Sequence, residues 1–160
     1  MGEREDIAEL LVDSDAGSPA GFAIALHIKF ASPTYLFQTY AKRWMDHYAA
    51  QGLMVHDPTV QWGLQNIGRV PWYDLQDIDS QGVLNQAKNF GLMSGFVVSV
   101  FKADSKSIAS FARADREFSE AEMDHLQALL DDLHMSTLDA SALTERDQQA
   151  LTDLSNRLTH

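Results

Sequence analysis

The sequence predicts an α+β fold in which helices cover both faces of an antiparallel sheet of roughly five strands, a three-layer α/β/α sandwich. Two pairs of strand-like segments are each joined by a short turn, which indicates hairpins and antiparallel pairing. Segments with helical apolar spacing precede, separate and follow these pairs, so helices are available to cover the sheet. Layers of this kind often enclose a pocket between the sheet and one helix layer, and a ligand pocket is expected there.

The first half of the chain contains one of the two hairpins. Phe22, Ile24, Leu26 and Ile28 alternate with other residues and predict a strand whose apolar side chains share one face. Pro58 suits the first turn of a helix. The predicted elements are a helix over 3–12, a loop over 13–21, strands over 22–30 and 34–40 with a turn over 31–33, and helices over 41–52 and 58–66.

The second half contains the other hairpin and a long helix. Ser119 is a candidate N-cap with Glu120 and Glu122 in the first turn, and the apolar face comprises Met123, Leu126, Leu129, Leu130 and Leu133. A last helix is capped by Thr144, with Asp147 at its third position. The other predicted elements are an extended segment over 68–74, a helix over 80–90 ended by Gly91, strands over 95–103 and 108–114 with a turn over 105–107, and a loop over 136–142.

Composition excludes several classes of site. The chain has no cysteine, which rules out disulfides, thiolate metal ligands and a cysteine nucleophile. Twelve basic and 23 acidic residues give a net charge of -11, which disfavours contact with phosphate backbones. No apolar run approaches the ~20 residues that a membrane span requires, and no secretory signal pattern opens the chain. A cytoplasmic protein with no membrane partner is expected.

The segment from Trp44 to Pro58 combines an indole, a phenol and a carboxylate. Trp44 and Tyr48 share one helix face, and Asp57 follows, directly before Pro58. Aromatic residues at this spacing also occur in ordinary cores, and Asp before Pro also serves as a helix N-cap. In the ligand-binding interpretation the indole donates, the carboxylate accepts and the phenol donates to a carbonyl. A small molecule with one amide and one further carbonyl would satisfy all three groups.

Together with Trp72 and the stretch FGLMSG that ends at Gly95, these residues resemble the autoinducer-binding domain of LuxR-type quorum-sensing transcriptional regulators. The resemblance runs from about residue 20 to residue 135. It implies a sensor domain that binds an N-acyl-homoserine lactone, has no catalytic residues and uses neither a cofactor nor a metal. The predicted domain boundaries are 1–138 for this domain and 139–160 for a linker and the first helix of an incomplete helix-turn-helix domain.

The resemblance also implies a role for each of these positions. Trp44 would donate to the lactone carbonyl, Tyr48 would bond the acyl carbonyl, and Asp57 would accept the amide N–H. Trp72 would pack on the lactone ring, and Gly95 would allow close packing beside the pocket. The remaining expected pocket residues are Tyr40, Thr59, Val60, Leu92 and Ala112.

One strand position departs from the family pattern. A Ser or Thr often stands there and bonds the acyl carbonyl or a 3-oxo group, whereas the matching residue here is Ala112, or Ser110 if the alignment shifts. With Ala112, a 3-substituent would lose a partner, which weakly favours an unmodified or long acyl chain. Thr59 and Val60 stand where the family often has two valines, so one hydroxyl is expected at the pocket edge.

The segment 143–160 resembles the first helix of the family's DNA-binding module, although an ordinary capped helix explains it equally well. The chain stops at His160, before a recognition helix, so no DNA binding by this chain alone is expected, and DNA would be bound in a full-length form. The chain is then either a piece of a longer regulator or a natural truncated form. Exposed leucines on the long helix would support a homodimer, or a heterodimer with a full-length relative.

Two other functions compete with the sensor. His47 and His56 flank the pocket residues in sequence, and an acid/base or metal site built from them would make a lactone or amide hydrolase. The chain has no HExxH, GxSxG or P-loop motif, which disfavours an enzyme. The second alternative is a truncated regulator that acts as a ligand-independent dimerisation decoy, although all five motif positions are present.

Overall fold

The computed structural model describes residues 7–30, 32–138, 145 and 149. Five strands form one antiparallel sheet in the order β2-β1-β5-β4-β3, which confirms the predicted α+β fold. The strands are β1 Gly21–Lys29, β2 Ser32–Gln38, β3 Gly68–Pro71, β4 Ser94–Lys102 and β5 Ser105–Arg113. The helices are α1 Ile7–Ala16, α2 Lys42–Ala50, α3 Pro58–Gln65, α4 Val83–Lys88 and α5 Glu120–Ser136, with 3₁₀ helices at Leu53–His56 and Trp72–Ile78.

Each face of the sheet has its own hydrophobic core. On one face α1 and α5 pack against Phe22, Ile24, Phe96 and Phe111, all fully buried. On the other face lie the aromatic residues of the middle of the chain, with Tyr40, Trp44 and Trp72 packed against Ile108 of β5 and Val97 of β4. The α/β/α layering is therefore present, and the candidate ligand-binding residues Tyr40, Trp44 and Trp72 belong to the second face.

A β-bulge in β1 changes which face its residues meet. His27 has a left-handed backbone with φ 55°, and the pairing with β5 shifts between Ala25 and Ile28. Phe22, Ile24 and Leu26 share the face of α1 and α5, whereas Ile28 belongs to the opposite core. The prediction that Ile28 shares the face of Phe22 was wrong because the bulge breaks the two-residue alternation.

Local hydrogen bonding moves three predicted boundaries. Helix α1 continues to Ala16, where a loop was expected from residue 13, and the buried Ser14 hydroxyl donates to Leu10 O at 2.8 Å. The β4–β5 turn is formed by Ala103 and Asp104, both with positive φ, rather than by 105–107. Residues 72–78 form a 3₁₀ helix, where the sequence predicted extended chain to residue 74.

Helix α5 begins with the predicted cap, and its leucines are buried. Ser119 and Glu122 form a reciprocal capping box. Its leucines face the sheet and are at most 7% exposed, namely Leu126, Leu129, Leu130 and Leu133. The interpretation of these leucines as an exposed dimer surface was therefore wrong, because they fill the core that α5 shares with α1 and the sheet.

Several predictions fall on residues outside those described. These are the start of the first helix at 3–6, position 31 of the first turn, the loop beyond residue 138, and the caps Thr144 and Asp147 of the last helix. The boundary between 1–138 and 139–160 therefore stays a prediction.

Candidate functional site

A cavity of about 370 Å³ lies between the sheet and the layer formed by α2, α3 and the 3₁₀ helix Leu53–His56. This volume falls within the ~300–1,000 Å³ typical of small-molecule sites. Its sheet wall comprises Ala23, Ala25, Ile28, Pro33, Leu36, Gln38, Ile108 and Ser110. Its helical and loop walls comprise Tyr40, Trp44, Met45, Tyr48, Ala49, Met54, Asp57, Thr59, Val60, Leu64, Trp72, Val83, Leu84, Ala87 and Leu92.

Eight of the ten sequence-predicted site residues line this cavity. They come from four separate parts of the chain and are Tyr40, Trp44, Tyr48, Asp57, Thr59, Val60, Trp72 and Leu92. Gly95 and Ala112 do not line it. The fold therefore brings together the aromatic residues and the carboxylate that the sequence singled out, and it places the other two predicted residues behind the wall.

Asp57 both caps a helix and faces the cavity. Its Oδ1 accepts from the backbone N–H of Thr59 at 2.9 Å and from the Thr59 hydroxyl at 2.7 Å, which caps α3. Its Oδ2 accepts from the Tyr48 hydroxyl at 2.7 Å. The two interpretations of Asp57 are therefore compatible, because each carboxylate oxygen has a different task.

Burial raises the pKa of both members of this pair. Desolvation raises the pKa of Asp57, and the hydrogen bonds from Thr59 and Tyr48 oppose that rise. Desolvation also raises the pKa of the Tyr48 hydroxyl, and the nearby Asp57 charge raises it further. Tyr48 is therefore a neutral hydrogen-bond donor at physiological pH, and Asp57 Oδ2 is an acceptor with one protein partner.

Ser110 holds two aromatic residues in place at the same end of the cavity. Its Oγ accepts from Trp72 Nε1–H at 2.9 Å, and its backbone carbonyl accepts from the Tyr40 hydroxyl at 3.1 Å. Ser110, and not Ala112, is therefore the β5 residue with a hydroxyl at the cavity wall. Both residues point to the same face by two-residue alternation, and the sequence does not reveal which of them reaches the cavity.

Trp44 lies on α2 among other aromatic residues. Its ring is 5.7 Å from Tyr48 and 5.4 Å from Phe90, measured between centroids, and it is 5% exposed. Trp44 also lines the cavity, and its indole N–H is a hydrogen-bond donor. Trp44 therefore adds a second donor-bearing side chain to the cavity wall beside Tyr48.

Gly95 and Ala112 act behind the wall. They face each other across the β4–β5 pairing, and Ala112 is fully buried. A methyl group at position 95 would lie 2.5 Å from the Trp72 indole and would also clash with the carbonyl oxygen of Phe111. The absence of a side chain at Gly95 therefore lets Trp72 lie flat against β4.

The two histidines that the hydrolase interpretation would use do not lie at the cavity. His47 bonds the Gln86 side chain at 2.7 Å, and neither His47 nor His56 lines the cavity. The described residues also contain no group of three or more His, Cys, Asp or Glu side chains able to hold a metal ion. Asp57 therefore has no histidine partner in the cavity.

The sequence and structure of this chain are similar to those of known regulators. The autoinducer-binding domain family matches residues 17–137. The transcriptional activator protein SolR of Ralstonia nicotianae is 30% identical over 95 residues, which cover 58% of this chain and 40% of SolR. The chain therefore matches less than half the length of this relative.

No helix within the described residues is long and apolar enough to cross a membrane.

Two solved structures share the fold at low sequence identity. SdiA in complex with octanoyl-rac-glycerol has a TM-score of 0.64 and 18% identity, covering 93% of this chain and 68% of SdiA. The N-acylhomoserine lactone dependent LuxR family transcription factor CepR2 from Burkholderia cenocepacia has a TM-score of 0.61 and 15% identity. The match covers 85% of this chain and 86% of the CepR2 chain. The family match spans most of the cavity-forming chain. This chain therefore belongs to the autoinducer-binding domain family of LuxR-type quorum-sensing regulators.

Proposed function

We propose that this domain is the sensor of a cytoplasmic quorum-sensing regulator and that it binds an N-acyl-homoserine lactone in the cavity. The observation that carries this is the polar cluster at one end of a mostly apolar cavity, where Asp57, Tyr48 and Trp44 offer one acceptor and two donors. An acyl-homoserine lactone has one amide N–H and two carbonyls beside a fatty chain, so its groups complement this set.

Each polar group of the ligand has a partner in this arrangement. Without ligand, Asp57 Oδ2 accepts from the Tyr48 hydroxyl. When the ligand binds, its amide N–H donates to Asp57 Oδ2 instead, and the Tyr48 hydroxyl turns to donate to the acyl carbonyl. Trp44 Nε1–H donates to the lactone carbonyl, and the Trp72 ring, fixed by Ser110, packs on the lactone ring. The ligand thus replaces one protein hydrogen bond with three, and the Asp57–Thr59 cap is kept.

Ligand binding stabilises the fold. Burying a fatty chain contributes ~0.8 kcal/mol per methylene group, and a ligand that binds only the folded state raises stability by mass action. A raised melting temperature with acyl-homoserine lactones tests this directly. An unchanged melting temperature across butanoyl to dodecanoyl homoserine lactone would contradict the proposed function.

The substitution Asp57→Asn separates the ligand role from the cap. Asn caps a helix about as well as Asp, so the unliganded melting temperature should change little. The charge-assisted bond to the amide is lost, which should weaken lactone binding roughly ten- to hundredfold. Isothermal titration with decanoyl-homoserine lactone measures the affinity.

Asp79→Asn is the matched control. Asp79 also bonds helix N-terminal amides, those of Val83 and Leu84, at 2.8 and 3.0 Å, and it does not line this cavity. Asp79→Asn should change lactone affinity much less than Asp57→Asn, because Asp79 meets the cavity wall only through the backbone of Val83 and Leu84. Wild-type affinity in Asp57→Asn would mean that Asp57 is only a cap.

The sensor would act as part of a dimeric transcription regulator. A homodimer, or a heterodimer with a full-length relative, stays part of this proposal because the family resemblance implies it. The α5 leucines no longer support it, because they are buried. The alternative of a ligand-independent decoy is disfavoured by an intact polar cluster and an open cavity.

A further inference from the structure

The cavity has a polar end and an apolar end, separated along the strands. At the polar end Trp72 and Tyr40 bond Ser110, which pairs with Ala23 of β1, and Ala23 pairs with Gln38 of β2. At the other end Ile28 pairs with Pro33. From position 38 to position 33, β2 advances five residues, which is about 17 Å at ~3.4 Å per residue.

Helix α3 closes the β5 side of this path. Gly63 lies directly on Ile108, since a methyl group at Gly63 would be 2.7 Å from the Ile108 side chain. Lys106 Nζ donates to the carbonyls of Gly63 and Asn66 at 2.8 and 2.7 Å, and to Ser99 Oγ at 2.7 Å. All three ammonium protons are used, so this contact holds the C-terminal end of α3 against β5.

The β1 side of the path is open. Ala23 and Ala25 present only methyl groups to the cavity and are half-buried. The opening beyond them is bordered by Pro33, Leu36, Met54 and Leu64, and Met54 and Leu64 are 56% and 43% exposed. Exposed apolar side chains around the mouth of an apolar cavity are suited to contact the end of a hydrocarbon chain that reaches the mouth from inside the cavity.

We infer that the acyl chain runs over Ala23 and Ala25 of β1 to this mouth, and that the domain selects long-chain lactones. The inference rests on the proposed function and names the ligand class for the same cavity. An extended chain advances about 1.2 Å per bond, which follows from ~3.3–3.6 Å for the three backbone bonds of a residue. The path of about 17 Å between the polar end and the mouth corresponds to about 14 such bonds, so an acyl chain of roughly twelve carbons or more would span most of it.

The first test compares two lactones on the wild-type protein. Each buried methylene adds roughly fourfold in affinity, so dodecanoyl-homoserine lactone should bind at least about a hundredfold more tightly than butanoyl-homoserine lactone. Competition binding against a fluorescent lactone measures both. Equal affinities, or tighter binding of the butanoyl compound, would contradict the inferred long-chain path over β1 and would leave the proposed function intact. Absence of binding by both lactones would contradict the proposed function itself, and the inference with it.

The second test changes the mouth. Leu64→Ser removes apolar contacts with the end of the chain, so it should weaken dodecanoyl binding about tenfold and leave butanoyl binding unchanged. Ile67→Ser is the matched control, because Ile67 is 67% exposed at the same end of α3 and does not line the cavity. An equal effect of Leu64→Ser on both lactones would contradict the inferred path.

The third variant blocks the path. Ala25→Leu fills the channel over β1, so it should reverse the preference and bind the butanoyl compound more tightly than the dodecanoyl one. Far-ultraviolet circular dichroism shows whether this variant folds, and Leu64→Ser decides the question if it does not. A folded Ala25→Leu protein that keeps wild-type dodecanoyl affinity would exclude a chain over β1.

Discussion

Ser110 connects two of the aromatic residues that form the polar end of the cavity. The Trp72 indole N–H is buried and donates to Ser110 Oγ at 2.9 Å. A buried donor left without an acceptor costs about 1–3 kcal/mol. The orientation of Trp72, and with it the shape of the polar end, therefore depends on a single hydroxyl of β5.

We expect Ser110→Ala to lower the free energy of unfolding of the unliganded domain by about 1–3 kcal/mol, measured by urea denaturation. In a Trp72→Phe background the same substitution should cost much less, because the donor is already absent. Equal costs in the two backgrounds would show that the hydrogen bond contributes nothing to stability.

At the residue scale the sequence indicated three residues that the fold brings to one cavity. Trp44, Tyr48 and Asp57 were identified from helical spacing and from the chemistry of an acceptor next to donors, and all three face the cavity. The choice of Ala112 over Ser110 was not decidable in the same way. Both residues lie on one face of β5, and the positions of Trp72 and Tyr40, which are fixed by tertiary packing, determine which of them borders the cavity.

A buried histidine pair joins three elements on the far side of the sheet. His27 of the β1 bulge and His134 of α5 lie 4.5 Å apart between ring centroids. His27 Nε2–H donates to His134 O and to Thr137 Oγ1, and its Nδ1 accepts from the Ser105 hydroxyl at 2.7 Å. A carbonyl oxygen can only accept, so Nε2 carries the proton. Nδ1 then has no proton and accepts from Ser105, which describes a neutral imidazole.

The pKa of His27 lies below its ordinary value of 6.5, because burial disfavours the charged ring and because His134 and then Lys29 add positive charge nearby. Below pH 6.5 the unfolded chain therefore binds more protons than the folded one. The stability that His27 contributes is complete above pH 6.5 and is lost as pH falls from there toward the lower folded pKa.

We expect the free energy of unfolding to fall between pH 7.5 and pH 5, and to fall less steeply in His27→Asn, since Asn tolerates the left-handed backbone of the bulge. His125→Asn, on the exposed side of α5, serves as the control and should keep the wild-type slope. Denaturation at several pH values measures all three proteins. An unchanged slope in His27→Asn would rule out this histidine as the titrating group.

At the element scale the sequence predicted helix and strand identities better than it predicted what covers them. The apolar stripe of α5 was recognised, but a stripe does not say whether the sheet or a second chain covers it, and here the sheet does. The bulge at His27 was not predicted because a positive φ is uncommon for any non-glycine residue and because the alternation around it looks regular. One such residue moves Ile28 from one core to the other.

The whole molecule is acidic, with a net charge of -11. Lys and Arg side chains that neutralise phosphates supply most of the affinity of proteins for DNA, and an excess of carboxylates opposes approach to the duplex. We expect no retardation of duplex DNA by this 160-residue chain at physiological salt, with or without lactone, in a gel-shift titration. Retardation that survives competitor DNA would contradict this expectation.

The two hairpins alone do not determine the strand order of the whole sheet. The two hairpins β1–β2 and β4–β5 follow from local turns and alternation. The pairing of β1 with β5, which unites them into one sheet, joins residues almost ninety positions apart, such as Phe22 and Phe111. Short-range patterns carry no signal for that contact, so the layers could be predicted and the strand order could not.

Gly95 and Trp72 have a consequence for how this cavity can change over generations. The indole occupies the space that any side chain at position 95 would need. A lineage that keeps the indole must therefore keep the glycine, and loss of the indole alone does not free position 95, because the carbonyl oxygen of Phe111 occupies the same space. Position 95 is thus constrained by a side chain that can mutate and by a backbone atom that cannot, so the wall expected to meet the ligand's ring can change at position 72 but not at position 95.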